Sequence, residues 1–214
     1  MRTLIAAWLC APAMLLAAES GHHLDSAPIE PRDLVSLQAG ARTFVNYCLN
    51  CHGAKYMRYN RLTDLGLTET QIRDNLMFAA DKVGETMAVA MTVKDGKEWF
   101  GVPPPDLSVI GRSRGADWLY TYLRTFYRDG NTSSGWNNKV YPNVAMPHAL
   151  WKLERDLPGV EYDRTVRDLV NFLVYVGEPA AQSRKAIGIV VLFVLGVLFV
   201  LSYAMKNEFW KDVR

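Results

Sequence analysis

Apolar positions along the chain form three helical stripes, a capping signature and one unbroken run. Leu37, Ala41, Phe44, Val45 and Cys48 recur at i, i+4, i+7, i+8 and i+11, one face of a helix, with Asp33 or Ser36 available to cap its start. Gly40 in this stretch permits close approach of a second helix. Thr68-Glu69-Thr70-Gln71 has the form of a capping box and predicts a short helix through about Phe78. Trp118, Leu119, Tyr122, Leu123 and Phe126 share a face within a helix predicted over Asp117 to Tyr127. Val166, Leu169, Val170, Leu173 and Val176 give the strongest stripe, over Asp163 to Val176, closed by Gly177 and Pro179. Between them, 81–101 has weak periodicity and is predicted as loop with one turn of helix. Pro103-Pro104-Pro105-Asp106 is stiff and extended. The stretch 129–147 is rich in Gly, Asn, Ser and Pro and reads as loop.

The unbroken run is Ala186 to Met205, 20 residues without a charge, which matches the roughly 20 needed to cross a bilayer as a helix. Tyr203 and Trp210 suit an interfacial aromatic belt. At the other end, Arg2 precedes the apolar stretch Leu4 to Ala18, the form of a secretory signal peptide. The organisation expected is a signal over 1–18 (its end between 18 and 20), a domain over 19–183, a transmembrane anchor over 184–205 and a cytoplasmic tail over 206–214. An export signal followed by one span places the large domain outside the inner membrane, on the periplasmic side.

Charge narrows the function. The formal net charge is +2, but Glu19 to Ser183 carries 18 basic and 20 acidic residues, so nucleic acid is excluded as a partner. Of three cysteines, Cys10 falls in the signal, leaving Cys48 and Cys51. The exported part therefore has no structural disulfide framework.

Those two cysteines stand in Cys48-Leu49-Asn50-Cys51-His52, the CxxCH attachment signature of a c-type haem. The spacing lets two thiols reach the vinyl groups on one porphyrin edge while the next residue offers an imidazole to the iron. A zinc site would need four ligands, and Cys10, His22, His23 and His148 are the only further Cys or His available. A thioredoxin-like pair would lie near strand–helix alternation, which the pattern lacks. One covalently bound haem c is thus expected in an all-α c-type haem domain with long loops wrapped around the cofactor. For the sixth ligand, Met57 follows the motif too closely and Met77 sits on a helix face. Met146, Met87, Met91 and His148 stay open, with Met146 favoured because its loop is stiffened by Pro147. Methionine ligation would give a high potential and an electron carrier; an open site would suit a haem sensor.

At this point the chain resembles the cytochrome c1 family, the membrane-anchored haem subunit of ubiquinol–cytochrome c oxidoreductase. CLNCH after an amphipathic helix, Pro104-Pro105-Asp106-Leu107-Ser108 before Ile110, Arg112 and Arg114, Met146-Pro147 in the late loop, and Tyr203-Ala204-Met205-Lys206 closing the span carry the likeness. The resemblance implies His52 and Met146 as axial ligands, thioethers from Cys48 and Cys51, Pro105 against the haem on the His52 side, and Arg114 and Trp118 at a propionate. It implies an electron-transfer subunit, not an enzyme by itself, in a dimeric complex. Its partners would be cytochrome b, a Rieske iron–sulfur subunit as donor and a soluble c-type cytochrome as acceptor. The alternative is a membrane-tethered cytochrome serving a terminal oxidase or dehydrogenase. The chain lacks the extra cysteine pair and the longer insertion of many family members, so it resembles a compact bacterial form. Asp81, Glu85, Asp95 and Glu98 are scattered and read as a solvated face.

Overall fold

The computed structural model describes residues 23–89 and 91–212; the signal segment over 1–18 lies outside them. The helices are α1 (Leu34–Thr43), α2 (Glu69–Leu76), α3 (Val93–Phe100), the single turn α4 (Ile110–Ser113), α5 (Ala116–Arg124), α6 (Trp151–Asp156), α7 (Gly159–Gly177) and α8 (Ala181–Phe209). Two short antiparallel pairs join β1 (Ala54–Arg58) to β2 (Thr86–Met87) and β3 (Phe126–Arg128) to β4 (Trp136–Asn138). The fold class is mostly helical with long connections, as the periodicity predicts.

The core is the packing of α1 on α7. Asp33 caps α1, its carboxylate accepting from the N–H groups of Val35 and Ser36, which leaves Ser36 free to donate to Asp168 of α7 at 2.7 Å. Gly40 faces α7 so closely that a Cβ there would lie 2.0 Å from the Asp168 carbonyl oxygen. Around this contact Leu37, Phe44, Val166, Leu169, Val170 and Phe172 are buried. α4 lies on the far end of α7, where a Cβ at Gly111 would meet the Leu173 carbonyl oxygen at 2.7 Å. The N-terminal segment straps across α5 and α7: Arg124 bonds Asp163 through Nε at 2.6 Å and Asp25 at 2.8 Å.

Several expectations meet corrections of extent. The capping box at Thr68 and Gln71 is formed, but α2 stops at Leu76. The α5 helix ends at Arg124, and Phe126 and Tyr127 become strand β3. At that break the side-chain amide of buried Asn138 donates to the Tyr122 carbonyl at 2.7 Å, tying the helix end to β4. The stretch 81–101 holds β2 and the two-turn helix α3, which starts on a second capping box between Thr92 and Asp95. The apolar run forms α8, whose segment Ser183–Phe209 is long and apolar enough to span a membrane, with none of its apolar window buried against the rest of the described chain.

Candidate functional site

α1 leads into a widened π-helical turn over Phe44–Cys48, a distortion common where a helix carries function. Beyond it the Cys48 carbonyl accepts from both the Cys51 N–H at 3.0 Å and the His52 N–H at 2.8 Å. The pentapeptide is thus wound around one oxygen, which holds both sulfurs and the imidazole in one compact turn. Burial, with Cys51 adjacent, pushes the Cys48 thiol up to about 12, and burial also raises that of Cys51. Both stay protonated at neutral pH and unpaired. A zinc site lacks ligands here: among the described residues no group of three or more His, Cys, Asp or Glu could hold a metal.

The imidazole is fixed from the other side of the chain. His52 Nδ1 lies 2.7 Å from the Pro105 carbonyl oxygen. A carbonyl can only accept, so Nδ1 carries the proton and Nε2 keeps its lone pair. Metal-ligating histidines use this arrangement. Burial lowers the His52 pKa, with the Pro105 carbonyl and Asp106 opposing, so the ring is neutral near pH 7. The Pro-rich segment holds its carbonyl there by gripping the chain just after His52. Leu107 N–H donates to the Gly53 carbonyl at 2.8 Å, Asp106 Oδ2 accepts from Lys55 N–H at 2.9 Å, and Ser108 Oγ accepts from Tyr56 N–H at 3.0 Å. Asp and Ser in the PPDLS motif therefore position a proline carbonyl.

His52 and Cys48 line an apolar cavity of about 300 Å³ together with Pro105, Leu107, Ile110, Leu119, Val144 and Met146. A second lobe of about 110 Å³ shares Cys48, His52, Pro105 and Met146 and adds Cys51 and Pro147. Among the candidate sixth ligands, Met146 alone lines these lobes. Met87 is fully buried in the β1–β2 pair opposite Ala54. Met91 packs beside Gly96 and the prolines of the 103–104 segment. His148 is buried 4.9 Å above the Phe126 ring, and its Nε2 lies 2.8 Å from Glu154 Oε2.

Arg114 and Trp118 also line the larger lobe, the guanidinium 5.0 Å from the Trp118 ring centroid. Trp118 in turn stacks on Tyr122 at 4.8 Å, and the Tyr122 hydroxyl lies 3.4 Å from Met146 Sδ. Tyr122 was legible only as part of an apolar helical face; nothing in the spacing marks its hydroxyl. The loop carrying Met146 is held by two buried asparagines. Asn138 Oδ1 accepts from Val140 N–H at 2.9 Å and Tyr141 N–H at 3.1 Å. Asn137 Oδ1 accepts from Asn143 N–H at 2.8 Å, and Asn143 takes the left-handed conformation, φ 59°. The residues present fit a haem: an apolar slot, two thiols in one turn on its wall, an imidazole with its outer nitrogen occupied, and a thioether in the same cavity.

The model of the cytochrome C1 family matches residues 25–98 and 88–213. Over its full length the chain is 48% identical to the "Ammonia monooxygenase gamma subunit" of Nitrosomonas europaea, of which 99% is covered. It is 46% identical, over all of both chains, to the cytochrome c1 of Allochromatium vinosum. A mitochondrial cytochrome c1 haem protein of Solanum tuberosum is 24% identical across 85% of this chain and 81% of its own.

Proposed function

The chain belongs to the cytochrome c1 family, and on that premise we propose that it carries electrons from a Rieske iron–sulfur protein to a soluble c-type cytochrome. It does so as the redox subunit of a dimeric quinol–cytochrome c oxidoreductase whose quinol site belongs to cytochrome b; by itself it is not an enzyme. One haem c would be held by thioethers to Cys48 and Cys51, with His52 and Met146 offering the nitrogen and the sulfur for its iron. When bound, the haem supplies one-electron exchange between ferrous and ferric iron, and the protein supplies binding, orientation and electrostatics.

Each side chain has a distinct task. Pro105, fixed by Asp106 and Ser108, holds the proton on His52 Nδ1 and packs against the haem. Met146 offers a neutral thioether, which favours the ferrous state and raises the potential. Arg114, with Trp118 beneath it, offsets propionate charge. The apolar walls exclude water. The signal over 1–18 exports the domain of 19–183 to the periplasmic side of the inner membrane, and the anchor over 184–205 leaves 206–214 in the cytoplasm.

The observation that carries this reading is that His52 and Met146 share one apolar cavity whose wall holds both cysteines. A second reading is a membrane-tethered c-type cytochrome serving a terminal oxidase or dehydrogenase; that a relative in Nitrosomonas europaea is named as a monooxygenase subunit favours service to some other membrane enzyme. Purification of the detergent-solubilised complex separates the two. A di-haem b subunit and an iron–sulfur protein should accompany the chain, and oxidase or dehydrogenase subunits in their place would favour the second.

A further inference from the structure

Met146 has a neighbour that the electron-transfer reading does not require. The Tyr122 hydroxyl lies 3.4 Å from its sulfur. A thioether has no proton to give, so the hydroxyl donates and the sulfur accepts. No other side-chain bond of this hydroxyl is formed among the described residues. The ring itself cannot easily turn away. It is clamped between Trp118, stacked at 4.8 Å and 11°, and Phe126, edge-on at 5.1 Å and 70°. Its backbone is held too, since the Tyr122 carbonyl accepts from the buried Asn138 amide at 2.7 Å. That same asparagine ties down the start of the loop that ends in Met146. Donor and acceptor are therefore fixed to one another through a single buried residue as well as directly.

We propose that Tyr122 is a positioning residue that, by donating a hydrogen bond to Met146 Sδ, selects which sulfur lone pair is left for the iron and raises the reduction potential of the site. The proposal rests on Met146 being the axial ligand. A thioether sulfur has two lone pairs. Engaging one with a hydroxyl proton leaves the other as the coordinating pair and withdraws electron density from it. A poorer donor stabilises ferric iron less than ferrous, and hydrogen bonds around a ligating sulfur are among the ways a protein sets a haem potential.

The test compares the detergent-solubilised full-length holoprotein with Tyr122→Phe and Tyr122→Leu by redox titration and near-infrared absorption. Tyr122→Phe keeps the ring and its stacking and loses only the hydroxyl. It should retain the methionine-to-iron charge-transfer band. The ratio of reduced to oxidised protein at fixed ambient potential should fall by about threefold, on a scale of about 59 mV per tenfold for one electron. Tyr122→Leu should fall at least as far. An unchanged potential in Tyr122→Phe overturns the proposal, and a fall in Tyr122→Leu alone assigns the effect to packing and overturns it as well. Wild-type protein without the charge-transfer band would instead remove the ligand assignment on which the proposal stands.

Discussion

Asn138→Ala tests how the ligand loop is held. Asn138 is 1% exposed and serves backbone groups from two directions: its amide nitrogen donates to the Tyr122 carbonyl, and its oxygen accepts from Val140 and Tyr141 N–H. Alanine removes all three bonds, and a buried group left unsatisfied costs about 1–3 kcal/mol. The Tyr122 carbonyl keeps a second donor, the Thr125 N–H at 3.3 Å, and Tyr141 is exposed, so water can replace part of the loss. We expect a net destabilisation of about 3 kcal/mol, near the upper end for one substitution. In a domain of this size that corresponds to an apparent Tm lower by about 6–12 °C. The assay is thermal unfolding of the solubilised holoprotein, followed in parallel by far-ultraviolet circular dichroism and by the charge-transfer band. Because the lost bonds lie in the loop that ends in Met146, the band should fade at a lower temperature than the helical signal. A Tm within 1–2 °C of the parent, or loss of both signals together at the parent temperature, would refute the claim that the asparagine holds the loop.

Gly40→Ala should destabilise the domain although alanine is the better helix former by about 1 kcal/mol. Its Cβ would lie 2.0 Å from the Asp168 carbonyl oxygen and 2.7 Å from Phe172 Cβ, and overpacking costs about 1–3 kcal/mol or more; a raised Tm would contradict the contact. Asp106→Asn should cost stability in a pH-dependent way. Burial would raise the Asp106 pKa, but hydrogen bonds from Ser108 and the Lys55 N–H outweigh it and hold the carboxyl below its ordinary value. Its folded pKa thus lies below the unfolded value of about 3.9, so the ionised group contributes stability above about pH 4 that is lost as pH falls through the lowered pKa. Wild type and variant should differ in denaturant midpoint at pH 7 and converge in acid; a constant gap would contradict the assignment.

How much of this was legible in the sequence depends on whether a residue's task leaves a periodic trace. α1 and α7 bury long stripes, and both are legible together with the close approach at Gly40, although α7 begins at Gly159 rather than Asp163 and the stripe of α1 ends in a π-helical turn over Phe44–Cys48. CxxCH marks its site because the chemistry fixes the spacing. α3 shows only weakly because its apolar residues are Val93, Trp99 and Phe100 in a helix of eight, Val93 and Trp99 face solvent, and the side turned toward the Pro-rich segment is Gly96, where a Cβ would strike Pro104 Cδ at 2.7 Å. The β3–β4 pair was missed because β4 is Trp-Asn-Asn, whose two asparagines are buried to bond backbone rather than exposed in a turn. The Pro105 carbonyl could not be chosen from several nearby by composition, since Asp106 and Ser108 place it through bonds to residues about fifty positions earlier. His148 looked available as a ligand only until its pairing with Glu154 was visible.

The claim on which most depends is that His52 and Met146, which line one cavity, would be the two protein ligands of the iron. Near-infrared spectra of the oxidised full-length holoprotein and of Met146→Leu, with potentials measured on the same samples, test it most directly. The account predicts a methionine-to-iron charge-transfer band in the parent, its absence in Met146→Leu, and a large fall in potential as the thioether is lost. A band that persists in Met146→Leu would give the ligand to another methionine and contradict the site described above.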